Sequence, residues 1–97
     1  MDAKETLNQL TQSDNGINRL VAMIGAKDFA KGETSVSFKF PRGQFCKITL
    51  NGLDLYDMEF GKIRKFTYTP VKTFNNLYAE DLKNTFEQHT KLYLKLF

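Results

Sequence analysis

The 97 residues of this chain suit one domain and leave no room for two. Apolar residues make up 41% of the sequence, and nine Phe and four Tyr supply bulk for a core, which excludes a disordered chain. The net charge of +3 permits a nucleic-acid partner but is far from the excess of a dedicated binder. We therefore expect a single α+β domain over residues 1–97.

Composition also predicts where the protein works. No apolar run approaches the roughly 18 residues that a membrane-spanning helix needs. The first residues are polar and of mixed charge, unlike a secretion signal. Cys46 is the only cysteine, so an internal disulfide is excluded, as is typical of a reducing compartment. We expect a cytoplasmic protein that does not bind membranes.

The first 25 residues predict two helices. A helix over residues 3–12 is followed by turn-forming residues at 13–16, and a second helix over 16–25 ends at Gly25. Helical spacing predicts that four apolar side chains of the second helix face the core. These are Ile17, Leu20, Val21 and Ile24.

After a polar linker over residues 27–35, apolar and polar residues alternate, as they do in half-buried strands. Two strands are predicted, separated by a turn at residues 41–43. Their inward side chains are Val36, Phe38, Phe40, Cys46, Ile48 and Leu50.

The next loop is predicted from register. Asn51-Gly52 is a common two-residue hairpin, but a loop of these residues alone carries Asp57 and Glu59 onto the core face, where unpaired carboxylates are costly. We therefore predict a three- or five-residue loop, with a positive φ at Gly52. This register turns inward Tyr56, Met58 and Phe60.

A fourth strand is predicted over residues 62–69, after a bend at Gly61. Its alternation places Phe66 and Tyr68 inward. Pro70 has no backbone N–H, so it ends the central pairing or marks an edge strand.

A final helix is predicted to begin at a cap formed by Asn75 or Asn76 and to run to about Thr90. Its buried stripe follows four-residue spacing and consists of Tyr78, Leu82 and Phe86. The tail over residues 92–97 alternates again and is a candidate fifth strand. The predicted fold is an α+β domain with an antiparallel sheet of four or five strands and helices on one face.

Catalytic chemistry finds little support. Cys46 lies on an inward strand face and His89 near a helix end, so a Cys–His pair is not favoured. Asp57, Glu59 and Lys62 are spaced as in some metal-dependent nucleases, but cross-strand pairing of the carboxylates with neighbouring lysines explains them without a metal. No glycine-rich phosphate loop is present. We expect a protein that is not an enzyme and has no metal or cofactor.

Basic residues outnumber acidic ones between Lys27 and Lys72, so a nucleic-acid interface is one alternative. Lys39, Lys47 and Lys65 are predicted to share a sheet face with one aromatic, Phe45. Single-strand binders combine a basic groove with such stacking platforms.

Several motifs resemble a family of small proteins encoded by bacteriophages and mobile elements. They are AMIGAKDF (22–29), SFKFP (37–41), KITLN (47–51), DLYDMEF (54–60), VKTF (71–74) and TKLY (90–93). Members usually have Gly where this chain has Lys91. The resemblance implies a phage-type accessory protein in the cytoplasm of a bacterial host cell, and carries no site residues with it.

The leading functional expectation follows from that resemblance. It is a non-catalytic protein-binding module whose partner is a host or phage protein, in its finer form a stoichiometric inhibitor of host defence. Large apolar side chains without an obvious core role are the candidate contacts. They are Phe29, Phe45, Leu55 and Phe97. A small nucleic-acid binder is the alternative, and the sequence leaves the oligomeric state open.

Overall fold

The computed structural model describes residues 2–92. Two helices, α1 (Ala3–Thr11) and α2 (Gly16–Ile24), come first. The strands are β1 (Lys27–Lys31), β2 (Ser35–Phe40), β3 (Gln44–Leu50), β4 (Tyr56–Arg64) and β5 (Thr67–Leu77). A short 3-10 turn, Ala79–Asp81, leads into α3 (Leu82–Thr90).

The five strands form one antiparallel sheet in the order β1-β2-β3-β4-β5. The helices cover one face of this sheet, which we call the covered face; we call the other the open face. The core lies between the sheet and the helices and is built from Leu7, Leu10, Leu20, Ile24, Val36, Phe38, Phe40, Cys46, Ile48, Met58, Phe60, Leu82 and Phe86. The predicted α+β class and sheet type are confirmed.

The second helix is turned differently from the prediction. Gly16 packs so tightly on α1 that a Cβ there would lie 2.4 Å from the carbonyl carbon of Leu7. This contact points the line of residues 16, 20 and 24 inward. Ile17 and Val21 lie one residue further round the helix and are 41% and 48% exposed, so the prediction that they face the core is wrong.

The predicted polar linker over residues 27–35 is also wrong, because its first part is the edge strand β1. Lys27 pairs with Lys39, and a bulge follows before Ala30. Asp28 has a φ of 53° within that bulge. The strand forms through backbone pairing with β2 and has little burial of its own, so it lacks the alternation by which strands are identified.

The predicted register of β3 and β4 is confirmed. Leu50 pairs with Tyr56, which leaves a five-residue loop. Asn51 organises this loop, since its Oδ1 accepts hydrogen bonds from the backbone N of residues 53 and 55 at 2.8 and 3.3 Å. The positive φ of the loop falls at Asp54 (59°), so its prediction at Gly52 is wrong.

The separate strand predicted over residues 62–69 is wrong, because β4 runs on through Gly61 to Arg64 and β5 begins at Thr67. Gly61 instead makes room for the ring of Tyr68 on the open face: a Cβ at Gly61 would lie 2.4 Å from Tyr68 Oη. Tyr68 is 37% exposed and Phe66 is fully exposed. The inward placement of both side chains is therefore wrong, and the turn that follows β4 is formed by Lys65 and Phe66.

Pro70 lies in β5, an edge strand, as predicted, at a shift in the pairing with β4. Asn75 and Asn76 also belong to β5, so they do not cap the last helix. The capping hydrogen bond forms at the 3-10 turn that precedes α3, where Asp81 Oδ2 accepts from the backbone N of Tyr78 at 3.3 Å.

The stripe predicted for the last helix is confirmed at two of three positions. Leu82 and Phe86 are buried, whereas Tyr78 precedes the helix and is 60% exposed. The helix ends at Thr90, and Lys91 follows with a φ of 63°, a conformation that glycine favours. The tail strand predicted over residues 92–97 lies outside the described residues beyond Leu92.

Candidate functional site

The open face of the sheet is polar, with one pair of rings at its centre. Phe45 pairs with Gly61 in register, and Tyr68 lies across that glycine in an edge-to-face contact with Phe45, with centroids 5.2 Å apart. The Tyr68 hydroxyl donates to Glu59 Oε2 at 2.5 Å. Burial and this hydrogen bond raise the pKa of Tyr68 above its ordinary value.

Asp57 and Glu59 lie off the core face, as predicted. Lys47 lies directly opposite Glu59 in the register of β3 and β4, but among the described residues no lysine forms an ion pair with either carboxylate. Asp57 Oδ1 accepts from the backbone N of Asn76 at 3.0 Å and from Asn51 Nδ2 at 3.1 Å. Glu59 is bound by the Tyr68 hydroxyl. Neutral donors therefore satisfy both carboxylates, and the expectation of cross-strand ion pairs is wrong.

The two ends of the sheet differ in charge. One end holds the turns after β1 and β3, which carry Glu33 and Asp54. The other end holds the turns after β2 and β4, and these turns and the adjoining part of β4 carry no acidic residue. We call the cations of this second end the basic end. They are Arg42, Lys62, Arg64 and Lys65.

Backbone bonds join the two turns that supply the basic end. The backbone N of Ile63 donates to Gly43 O at 2.7 Å, and Gln44 pairs with Lys62. The turn that carries Arg42 is therefore attached to the β4–β5 hairpin close to its tip. These contacts join residues about 20 positions apart in the sequence into one surface.

The four cations are free to meet an external anion. Each is exposed, and within residues 2–92 none of their side chains forms an ion pair or a hydrogen bond. Arg42 and Lys62 also line a cleft of about 440 Å³ on the covered side of this end, together with Gln44 and Thr90. Asp28 is the acidic residue beside this surface: it lines a neighbouring cleft together with Arg42, but its ion pair is with Lys39.

The hairpin tip adds an aromatic ring to this surface. The two-residue turn of Lys65 and Phe66 has φ values of 48° and 67°. Positive φ at both turn residues is the mark of a type I′ turn, which Asn-Gly forms with least strain. The Phe66 ring is fully exposed and contacts no other ring among the described residues. A bulky apolar side chain thus occupies a backbone conformation that favours glycine.

The predicted nucleic-acid-binding lysines are only partly brought together. Lys39 and Lys47 lie on the open face near Phe45: Lys39 lies opposite it on β2, and Lys47 lies two residues further along β3. The ammonium of Lys39 lies 3.6 Å from Asp28 Oδ2, so its charge is partly compensated. Lys65 lies in the hairpin turn rather than on the sheet face. Their part in binding stays a prediction.

Packing within the domain covers part of each described side chain that was predicted to bind a protein. Phe29, Phe45 and Leu55 are half-buried. Phe29 lies against Phe38, with ring centroids 5.7 Å apart, and Phe45 is engaged by Tyr68. Phe97 lies outside the described residues. Their part in binding also stays a prediction.

Sequence reasoning missed the members of the basic end other than Lys65, and it missed Phe66. The available signal was the run Lys62-Ile63-Arg64-Lys65, since short basic runs are typical of nucleic-acid-binding patches. The bend predicted at Gly61 placed this run at the start of a new strand over residues 62–69, with Phe66 inward. A continuous β4 moves the run to the end of the sheet and Phe66 into the turn.

Cys46 and His89, the groups first considered for catalysis, pack in the core and at its edge. Burial raises the pKa of the Cys46 thiol, which keeps it protonated. His89 stacks on Phe60 with ring centroids 4.2 Å apart, and burial, aided by Lys72, lowers its pKa. No group of three or more potential metal ligands occurs within residues 2–92. No helix in this range is long and apolar enough to cross a membrane.

Comparison with protein-family models, with curated proteins and with solved structures gave no match.

Proposed function

We propose that this chain is a non-catalytic nucleic-acid-binding protein whose basic end holds the phosphate backbone. The observation that carries the proposal is the clustering of four exposed cations, which form no ion pair or hydrogen bond within residues 2–92, beside an exposed ring. The sequence ranked a protein-binding module first. That order changes because the described apolar candidates are half-buried, whereas the cations are gathered and free.

The two lysines of the basic end favour a polyanion over a protein surface, whereas its two arginines suit both. Lysine is depleted at the centres of protein–protein interfaces, where its ammonium must lose water, and the basic end contains two lysines. Phosphates accept hydrogen bonds from Lys and Arg while remaining largely hydrated, so the same side chains suit a nucleic-acid backbone. The cleft beside Arg42 and Lys62 offers a concave place for one such phosphate.

Binding through this surface depends on salt. Each phosphate contact lowers the logarithm of the association constant by about 0.7–0.9 for each log unit of salt. If each member of the basic end meets one phosphate, the slope is about −3. Titration of a labelled 20-nucleotide strand at several salt concentrations measures it.

The matched test reverses the same number of charges at two different places on the surface. Arg64→Glu with Lys65→Glu reverses two charges at the basic end, and Lys4→Glu with Lys31→Glu reverses two exposed charges elsewhere. The first pair is expected to abolish binding at physiological salt, and the second to weaken it only slightly. Equal losses in both pairs mean that net charge alone attracts the strand, which contradicts the proposal. A wild-type protein that binds neither DNA nor RNA contradicts it as well.

Protein binding remains the second candidate, as the resemblance to phage-encoded proteins suggests. The observation in its favour is the apolar pair Ile17 and Val21, which lie one helical turn apart on the outer side of α2 and are both exposed. An inhibitor of host defence is the finer form of this candidate. A host protein retained by the wild type after nuclease treatment, and lost with Val21→Glu but not with Arg64→Glu and Lys65→Glu, supports it.

A further inference from the structure

We infer that Phe66 is a base-stacking group and that the preferred ligand is a single strand with unpaired bases. This inference rests on the proposed function and deepens it, because the basic end by itself distinguishes no type of nucleic acid. Phosphate contacts position a strand, whereas contacts with bases decide which strands are preferred.

The hairpin presents the ring in a form suited to stacking. The turn has only two residues, and the ring contacts no other ring among those described, so both of its faces are open to a base. The cations Arg64 and Lys65 precede it directly, within reach of the phosphates that flank a stacked nucleotide. Aromatic rings interleaved with cations are the usual arrangement of single-strand binding surfaces.

The conformation of the tip is a second and independent observation. Lys65 and Phe66 both adopt a left-handed backbone conformation, which is strained for residues with side chains. No packing contact within the described chain offsets this strain, since the ring is fully exposed. Strained, exposed residues of this kind concentrate at ligand-binding positions.

The other ring pair on the open face is less suited to this role. Phe45 and Tyr68 are in edge-to-face contact with each other, and the Tyr68 hydroxyl is bound to Glu59. A base that stacks on Phe45 has to displace this contact. Phe66 needs no rearrangement to receive a base.

Single strands are favoured over duplexes because of access. In a duplex each base is stacked on both faces, so a ring reaches a base only after paying the cost of unstacking. An unpaired base presents its face directly. Stacking of one base on Phe66 is expected to strengthen binding about 5- to 150-fold, the range that base–aromatic stacking covers.

The experiment compares three ligands of equal length: a thymidine strand, the same backbone with abasic sites, and a duplex. The wild type is expected to bind the thymidine strand about 5- to 150-fold more tightly than the abasic strand. Phe66→Ala is expected to remove this preference while leaving the salt slope unchanged. Phe66→Tyr keeps the ring and is expected to retain it. Thermal melts of the variants establish that each is folded.

The outcomes separate this inference from the function on which it rests. An unchanged preference for the thymidine strand in Phe66→Ala overturns the inference, and so does a wild type that prefers the duplex, which indicates a wedge between base pairs. Neither result affects binding through the basic end. Loss of all binding in the wild type defeats the proposed function itself.

Discussion

Two groups of phenylalanines in this domain occupy opposite environments, the centre of the core and the hairpin tip. Phe38, Phe40, Phe60 and Phe86 are buried, and their rings are joined by contacts with centroids about 6 Å apart, at 6.0 Å for Phe38 and Phe40 and 5.7 Å for Phe40 and Phe86. Phe66 is fully exposed and meets none of them. The same side chain therefore stabilises the fold in one region and contributes nothing to it in the other.

The difference separates the part of this small domain that carries its stability from the part that we propose carries recognition. Burial of the core rings lowers the free energy of the folded state, so their positions are tied to the packing of helices on the sheet. The hairpin tip is held in place only by backbone pairing of β4 with β5, and its backbone conformation is strained. Substitutions in the two regions should consequently have effects of opposite sign on stability.

The largest effect is expected for Phe86→Ala. Phe86 is completely buried and contacts Phe38, Phe40 and Phe60, so its truncation leaves a cavity at the centre of the core. We expect a loss of about 3–5 kcal/mol in the free energy of unfolding. Denaturant melts measure it, with Phe66→Ala as the control of identical chemistry and no expected loss. A loss below about 1 kcal/mol for Phe86→Ala removes this residue from the core.

A smaller loss is expected for Gly16→Ala, which tests the contact that turns α2. The added Cβ would lie 2.4 Å from the backbone carbonyl of Leu7, and the backbone cannot move aside as a flexible side chain can. We expect a loss of about 1–3 kcal/mol from overpacking, measured in the same melts.

Gly52→Ala is the matched control, because no atom lies within 4 Å of the added group. An unchanged stability for Gly16→Ala would show that the helix is held against the core in another way. An unchanged exposure of Ile17 to chemical labelling would agree with that result.

The smallest effect is a gain. Replacing the tip by Lys65→Asn with Phe66→Gly gives the sequence that a type I′ turn favours. We expect the free energy of unfolding to rise by about 1 kcal/mol, since left-handed backbone costs roughly this much in ordinary residues. If the tip serves recognition, the stabilised variant binds the thymidine strand more weakly than the wild type. A variant that is more stable and binds the strand equally well contradicts the proposal that the hairpin tip serves recognition.

The central strands of the sheet and the register between β3 and β4 were predictable, because they depend on local alternation. The spacing of Met58 and Phe60 against Asp57 and Glu59 excludes the two-residue loop, since only an odd loop keeps both carboxylates off the core face. Leu82 and Phe86 lie four residues apart and are buried as that spacing predicts. In these segments the spacing of apolar residues along one strand or helix is enough to predict which of its side chains are buried.

The candidate site was not predictable in the same way. Phe66 carries the hydrophobicity of a core residue, and only the continuity of β4 through Gly61 places it in a turn. Arg42 gives no sign in the sequence of lying near Arg64. The backbone bond between Ile63 and Gly43 brings their turns together.

The sequence by itself determined the class of fold, the inward faces of the central strands and the last helix, because burial imposes a period on residues of one element. Only the tertiary structure decided which side of α2 faces inward, that β1 pairs at the edge, and that Arg42 shares one end with the basic run over residues 62–65. These features depend on contacts between distant segments, on the fit of Gly16 against Leu7 and on backbone pairing. Such contacts leave no period in the sequence, since backbone groups are the same at nearly every residue.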